Sequence, residues 1–340
     1  MIRGYVEVSQ ESMALAEAEA VSVAETLGGH ASHPGSTIPR LIGVEVPDSG
    51  TWAALAGRLG LARRCLVEVA PSPDGVSAAR AEGHRGGSAA FRRIGAPSGG
   101  GADATILACG RAFKEGGGTI DLDAPRRRYW VVAARDGTPM LLEEVASVDR
   151  SSPALRTMPL LPFRRPVSLP PKFARAAVNL ARVRAKDRIL DPFLGTGALL
   201  AEAGLLGARL FGVDRDPAMV RGALQNLSYL GVTAEELLVG DSRDVGFSDP
   251  TATFSAIVTD PPYGRASSTG GDDSGKLVAE VVERWCGALA PGGRLVLIVP
   301  TGGPELPALG APRFRIPVRV HRSLTREFRL YEGSSVTRRS

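Results

Sequence analysis

Apolar and polar positions change rhythm about halfway along the chain. Before residue 150 the runs are short and mixed. YVEVS at residues 5–9 alternates with period two, and the next stretch sets Met13, Leu15, Ala16, Val21, Val23 and Leu27 near one helical face closed by Gly28 and Gly29. That pattern predicts a strand followed by a helix. LIGVEV at 41–46 and CLVEVA at 65–70 predict two more strands, with TWAALAGRLGLARR at 51–64 as a helix between them. YWVVAARDGTPMLLEEV at 129–145 predicts a hairpin, because Asp136 and Gly137 form a tight-turn pair between two apolar runs. The span from Glu82 to Gly118 is rich in Gly, Ser and Arg and predicts no element. Residues 1–148 therefore read as a small α+β region.

Pro153, Pro159, Pro162, Pro166, Pro170 and Pro171 then interrupt the pattern, and such prolines cannot sit inside regular core elements. Residues 149–186 read as a proline-rich linker with a lead-in helix. From 187 to 340 the texture is different. The apolar runs RILDPF, ARLFGVD, ELLVGD, FSAIVTD and RLVLIVP are interleaved with the helical stretches GALLAEAGLLG, PAMVRGALQNLSYLG and GKLVAEVVERWCGALA. Apolar strands joined through helices require right-handed crossovers and a mostly parallel sheet covered on both faces. RFRIPVRVHRS and TREFRLYE keep period two with no helix between them and predict an antiparallel hairpin closing that sheet. The fold class expected is α/β: a doubly wound, Rossmann-like sheet of seven strands preceded by the α+β region.

Composition narrows the class without changing that layout. The 340 residues are 44% hydrophobic and 23% charged, as in a globular protein large enough for two domains. The first thirty residues hold Arg3 and five glutamates without a continuous apolar stretch, and no later run is long enough to span a bilayer. A cytoplasmic protein with no membrane partner is the expectation, with a monomer favoured. Cys65, Cys109 and Cys286 are far apart, which excludes a disulfide framework and a zinc knuckle, and no metal is expected. Trp52, Trp130 and Trp285 fall on apolar faces and are assigned to the core. The net charge of +5 conceals a segregation. Residues 151–189 hold nine basic side chains against Asp187 alone, residues 190–312 hold 8 basic against 15 acidic, and the stretch from Arg313 onward holds eight arginines against two glutamates. Two cationic segments flanking an acidic block would attract phosphate if they met on one face.

In an open parallel sheet the ligand lies beyond the carboxyl ends of the strands, so the residues that end each strand carry the information. They are Asp191, Asp214, Asp241 and Asp260. Asp191, Pro192, Gly195, Thr196 and Gly197 form a turn whose glycines let the backbone approach a ligand closely. Leu200 stands where a nicotinamide fingerprint wants Gly or Ala. Asp214, 17 residues after Gly197, is spaced to face ribose hydroxyls, and Asp241 is similarly placed for an adenine amine. Asp216 before Pro217 reads as a helix cap. The loop resembles that of class I S-adenosylmethionine-dependent methyltransferases, and S-adenosyl-L-methionine is the cofactor expected.

Asp260, Pro261, Pro262 and Tyr263, followed by Gly264, are the most specific signal. A ring amine is a poor nucleophile because its lone pair is delocalised. Its two N–H groups need acceptors that draw the nitrogen toward tetrahedral geometry, and the Asp260 carboxylate and Pro261 carbonyl can supply them. Pro262 holds Pro261 extended, and Tyr263 offers a stacking face. The motif resembles the signature of amino-methyltransferases acting on adenine N6, cytosine N4, guanine N2 or a protein glutamine.

The order of parts, together with Asp149–Ser152, Leu169–Leu180, Asp191–Gly197, Gly212–Asp214, Asp260–Gly264 and His321–Arg326, resembles the archaeal tRNA guanine-10 N2-methyltransferase family. More loosely, Tyr5 to Gly28 resembles that family's N-terminal ferredoxin-like element, and Thr119–Leu122 with residues 129–137 the end of its RNA-binding THUMP domain. The resemblance implies a class I methyltransferase domain at 187–340, a ferredoxin-like and THUMP region at 1–148, tRNA as partner, and methylation of guanosine 10 once or twice. Lys172, Arg175 and Arg322 become candidate RNA contacts. Two alternatives stay open: a DNA amino-methyltransferase acting on adenine N6 or cytosine N4, which would carry a target-recognition insert, and a catalytically idle tRNA-binding chaperone, against which the intact Asp260–Tyr263 motif argues.

Overall fold

The computed structural model describes residues 1–32, 38, 40–69, 75–95, 101–133, 139–149, 160–166, 168–262, 274–321 and 324–332. The chain divides into two compact units. The first comprises Met1–Met13, Leu27–Gly57 and Ala62–Asp149, and the second Ala14–Thr26, Arg58–Leu61 and Arg150–Ser340.

The first unit is built on a sheet ordered β2-β3-β1-β4-β8-β7-β5-β6. Its strands are β1 (Ile2–Val8), β2 (His30–Ala31), β3 (Leu41–Val46), β4 (Ala62–Glu68), β5 (Ser88–Arg93), β6 (Thr119–Ile120), β7 (Arg127–Ala133) and β8 (Pro139–Ser147). In β2-β3-β1-β4 each neighbour is antiparallel, the strand order of a ferredoxin-like split βαβ. β7 and β8 pair antiparallel, as their sequence predicts, while the Asp136-Gly137 turn lies outside the described residues. The span without a predicted element takes in the last residues of α3 (Gly75–Gly83), then β5 and α4 (Gly101–Glu115). Phe91, Phe113 and Tyr129 form its ring cluster, with Phe91 stacked on Tyr129 at 5.2 Å. The helix expected over 51–64 is shorter: α2 covers Thr51–Arg58 and β4 begins at Ala62.

The second unit carries the ligand-binding type of sheet, ordered β11-β10-β9-β12-β13-β15-β14. Its strands are β9 (Arg188–Asp191), β10 (Arg209–Asp214), β11 (Glu236–Val239), β12 (Phe254–Thr259), β13 (Leu289–Pro300), β14 (Phe314–His321) and β15 (Leu324–Glu332). The first five are mutually parallel, and β15 runs antiparallel between β13 and β14. Its helices are α1 (Met13–Thr26), α5 (Pro171–Leu180), α6 (Ala198–Gly204), α7 (Pro217–Tyr229) and α8 (Ser274–Cys286). The order of strands reverses direction between β9 and β12, and there the connections leave a crevice. Under α8 the core is aromatic: Phe211, Phe247, Phe254 and Trp285 meet edge to face or tilted at 5.3–6.2 Å. All three tryptophans and all three cysteines are buried.

α1 buries Leu15, Ala16, Glu19, Ala20 and Val23, so Met13 and Val21 lie off the face assigned to them. A glutamate on that face needs partners. Glu19 accepts hydrogen bonds from the amides of Gly60 and Leu61 and from Asn179 Nδ2 of α5, all at 2.8–2.9 Å. Enclosure pushes its carboxyl up to about 7 despite those bonds.

Candidate active site

Asp191, Asp214, Asp241 and Asp260, which end or closely follow β9, β10, β11 and β12, line one cavity of about 610 Å³, within the range of small-molecule sites. Pro192, Gly195, Thr196, Pro261 and Pro262 share its wall. The turn after β9 depends on its glycines: Gly195 and Gly197 have φ of +51° and +79°, conformations open to glycine at little cost. Gly197 also stands at the N-terminus of α6, where a Cβ would crowd Ala223 of α7.

The carboxylates differ in their surroundings. Asp191 is buried, and its Oδ1 accepts from Thr259 Oγ1 at 2.7 Å and from the Phe193 amide at 3.1 Å. Burial outweighs those bonds and pushes this carboxyl up to about 7, aided by Asp260 and Asp214 nearby. Asp214 accepts from the Gly195 amide at 2.8 Å and the Asp216 amide at 2.9 Å, which ties β10 to the glycine turn. Burial raises its carboxyl as well. Asp241 is gripped by Arg243, Oδ1 from the amide and Nε, Oδ2 from Nη2 at 2.7 Å, and these bonds hold it below the usual carboxylate range. Asp260 meets Arg326 of β15 through Oδ2 and Nη1 at 2.6 Å. Asp216 caps α7 by accepting from the Ala218 amide at 2.7 Å, as its place before Pro217 predicts.

The proline-rich segment is more than a connector, since Arg165, Pro166, Ser168 and Leu169 also line the cavity. Asn226 of α7 pins it there: Nδ2 donates to the carbonyls of Phe163 and Thr196, and Oδ1 accepts from the Phe163 amide. Phe163 can lie against α7 only because residue 222 is glycine, where a Cβ would run into its ring.

Of the remaining candidates, Tyr263 and Arg322 lie outside the described residues. Lys172 is half-buried at the start of α5, its ammonium 5.1 Å from the Phe173 ring centre. Arg175 departs from the expected role of RNA contact. It is 7% exposed, and its Nε donates to buried Glu202 of α6 at 2.7 Å, so its charge is committed inside the fold. Counting basic residues along a segment cannot see that. Arg175→Ala is expected to leave Glu202 buried without this cation and to lower stability by about 3–5 kcal/mol in a denaturant titration. Sequence reasoning also missed Arg326: it stood among the residues of the family resemblance, but no spacing linked it to Asp260.

A parallel sheet with an antiparallel strand inserted next to its edge, a glycine turn after the first strand of the domain, and Asp-Pro-Pro in the wall of the switch-point cavity define a class I methyltransferase domain. Among the described residues no helix is long and apolar enough to cross a membrane. Residues 161–304 match the family described as RMKL-like, methyltransferase domain. The chain is similar to the tRNA (guanine(10)-N2)-dimethyltransferases of Methanothermobacter thermautotrophicus (45% identity over 175 residues, 50% of this chain and 51% of the relative) and Pyrococcus abyssi (42% over 176 residues, 51% and 52%). These alignments span about half the length of each curated relative. The crystal structure of TrmN from Thermus thermophilus has the same fold at a TM-score of 0.52 and 21% identity, over 97% of this chain and 99% of that one.

Proposed function

We propose that this protein transfers a methyl group from S-adenosylmethionine to the exocyclic N2 amine of a guanosine in tRNA, at position 10, giving N2-methylguanosine, N2,N2-dimethylguanosine or both. The observation that carries this reading is the Asp260-Pro261-Pro262 wall sharing one cavity with the carboxylates at the ends of β9, β10 and β11. The likeness to guanine-10 enzymes at 42–45% identity supports guanosine as the target.

The donor set fits the cofactor. Asp214 retains lone pairs beyond its two backbone bonds for a pair of ribose hydroxyls, Asp241 offers an acceptor for an adenine amine, and the turn at Gly195–Gly197 admits close backbone approach. When bound, S-adenosylmethionine supplies a methyl activated by its sulfonium charge. The Asp260 carboxylate and the Pro261 carbonyl accept the two N–H bonds of the guanine amine and direct its lone pair at the methyl. As positive charge develops on nitrogen, Asp260 stabilises it and stands as the acceptor for the proton that leaves. Pro262 keeps the Pro261 carbonyl oriented, and Tyr263 stacks on the base.

A base in folded tRNA has to leave its stack to reach such a pocket. We assign backbone contacts to Lys172 and Arg322, and RNA capture to residues 1–148 as a ferredoxin-like and THUMP-type region joined through 149–186 to the domain at 187–340. The protein acts in the cytoplasm as a monomer with no metal. Incubating it with S-adenosylmethionine and unmodified tRNA and analysing the nucleosides by mass spectrometry tests this reading. N2-methylated guanosine is the expected product. Methyladenosine, methylcytosine or no transfer to tRNA overturns it, and a parallel incubation with duplex DNA tests the DNA amino-methyltransferase alternative.

A further inference from the structure

Arg326 reaches Asp260 from an unexpected direction. It belongs to β15, two places from β12 in the sheet, and its backbone is held on both sides, opposite Pro300 of β13 and Val318 of β14. Because β15 runs antiparallel to its neighbours, its first residues lie where the parallel strands end, beside the cavity. Phe328, the next residue on the same face, packs near Phe173 of α5 with ring centres 6.5 Å apart. Arg326 is enclosed, its side chain 3% exposed, and lines the cavity together with Asp260. A guanidinium so enclosed is tolerated where a carboxylate answers it, and a long side chain so packed has few rotamers left.

Asp191, Asp214 and Asp260 crowd negative charge into the same cavity. Like charges favour protonation of one another, whereas answering the cation that develops on the amine and taking its proton require the ionised carboxylate. Resting on the proposed reading of Asp260, we infer that Arg326 is a positioning residue: its guanidinium holds the Asp260 carboxylate ionised and in one orientation as acceptor for the target amine. Arg326 takes no part in bond making. The ladder on either side of β15 gives the charge a fixed address, so the sheet itself orients the acceptor.

The test compares the full-length parent with Arg326→Gln, Arg326→Lys and Asp260→Asn. S-adenosylhomocysteine affinity reports an intact pocket, single-turnover methyl transfer to tRNA is followed across pH, and aspartate carboxyl NMR signals are titrated, Asp260→Asn identifying the relevant one. Arg326→Gln is expected to lose about a hundredfold in turnover. The Km for tRNA and the affinity for S-adenosylhomocysteine should stay within about threefold, a split between steps that general loss of structure does not produce. The acid limb of the rate profile and the Asp260 titration should both move to higher pH, because a neighbouring cation has been removed. Arg326→Lys, which keeps the charge but not the planar guanidinium, should return the Asp260 titration to that of the parent while turnover stays below it. Turnover of Arg326→Gln within threefold of the parent, or an unmoved Asp260 titration, overturns the inference. Should Arg326→Gln fail to bind S-adenosylhomocysteine, Arg326→Lys decides: lowered turnover with the parental titration supports the inference, and parental turnover overturns it. Parental turnover in Asp260→Asn would instead overturn the reading of the site itself.

Discussion

Asp260→Ala is expected to lower methyl transfer to tRNA by about 10²–10³-fold, the scale on which removal of one preorganised transition-state partner acts. The variant loses an acceptor for the target amine and the charge that answers the cation developing on nitrogen. Cofactor binding should persist, because the groups assigned to ribose and adenine sit at the ends of β10 and β11, and tRNA affinity should also stay near the parent's. The substitution has a structural side. It leaves the Arg326 guanidinium enclosed without the Asp260 carboxylate, so a lower unfolding midpoint is expected and rates must be taken well below it. Asp260→Asn separates the two effects, since its amide oxygen can still accept from Arg326 and from the amine but carries no charge. Single-turnover transfer of labelled methyl, with equilibrium binding measured on the same samples, checks the prediction. An alanine variant that turns over within tenfold of the parent sinks the role given to Asp260.

Much of the second sheet could be read from sequence because parallel strands buried on both faces are written as unbroken apolar runs, each ending in a polar residue at the ligand side. FSAIVT followed by Asp260 and LFGV followed by Asp214 show this directly. The unassigned span from Glu82 to Gly118 was opaque for the opposite reason. β5 presents Ala89, Ala90 and Phe91 to the core, and α4 buries Cys109, Ala112 and Phe113, so small side chains carry most of the burial and the apolar signal is weak. Gly83 and Gly116, where a Cβ would strike backbone, allow α3 and α4 to pack closely, and glycines at the ends of these helices resemble loop residues in the sequence. α2 stops at Arg58 because the turn beyond it is held from elsewhere: Glu19 takes the amides of Gly60 and Leu61, and Gly60 lies against the Lys172 carbonyl. In the site, strand-terminal aspartates were legible because position alone implies their direction. Arg326 and Arg175 were not, because their roles depend on which strand lies beside which and on burial, and neither is a property of local spacing.

Asp191 gives a pronounced pH effect in the acid-to-neutral range. An aspartate in an unfolded chain titrates near 3.9, whereas burial holds Asp191 at about 7 in the folded protein. Between those values the folded state binds more protons than the unfolded one, so its stability falls as pH rises from about 4 to about 7, with the full penalty above that window. Glu19, also pushed up to about 7 by burial, contributes with the same sign. Asp191→Asn keeps an oxygen for Thr259 and the Phe193 amide but has nothing to ionise, so the variant should flatten this decline and unfold at a higher temperature than the parent at pH 8. The reverse is expected for binding. A cationic sulfonium favours the ionised carboxylate, so S-adenosylmethionine affinity should rise by up to about tenfold per pH unit below 7 and level off above it. S-adenosylhomocysteine, which shares the adenosine and amino-acid groups but lacks the sulfonium charge, should show a shallower slope, and Asp191→Asn should bring the two ligands together. Calorimetric titrations of both ligands between pH 5.5 and 8.5 measure the difference. Parallel slopes in the parent would mean that Asp191 keeps its proton when the cavity fills and serves the turn only as a hydrogen-bonding strut.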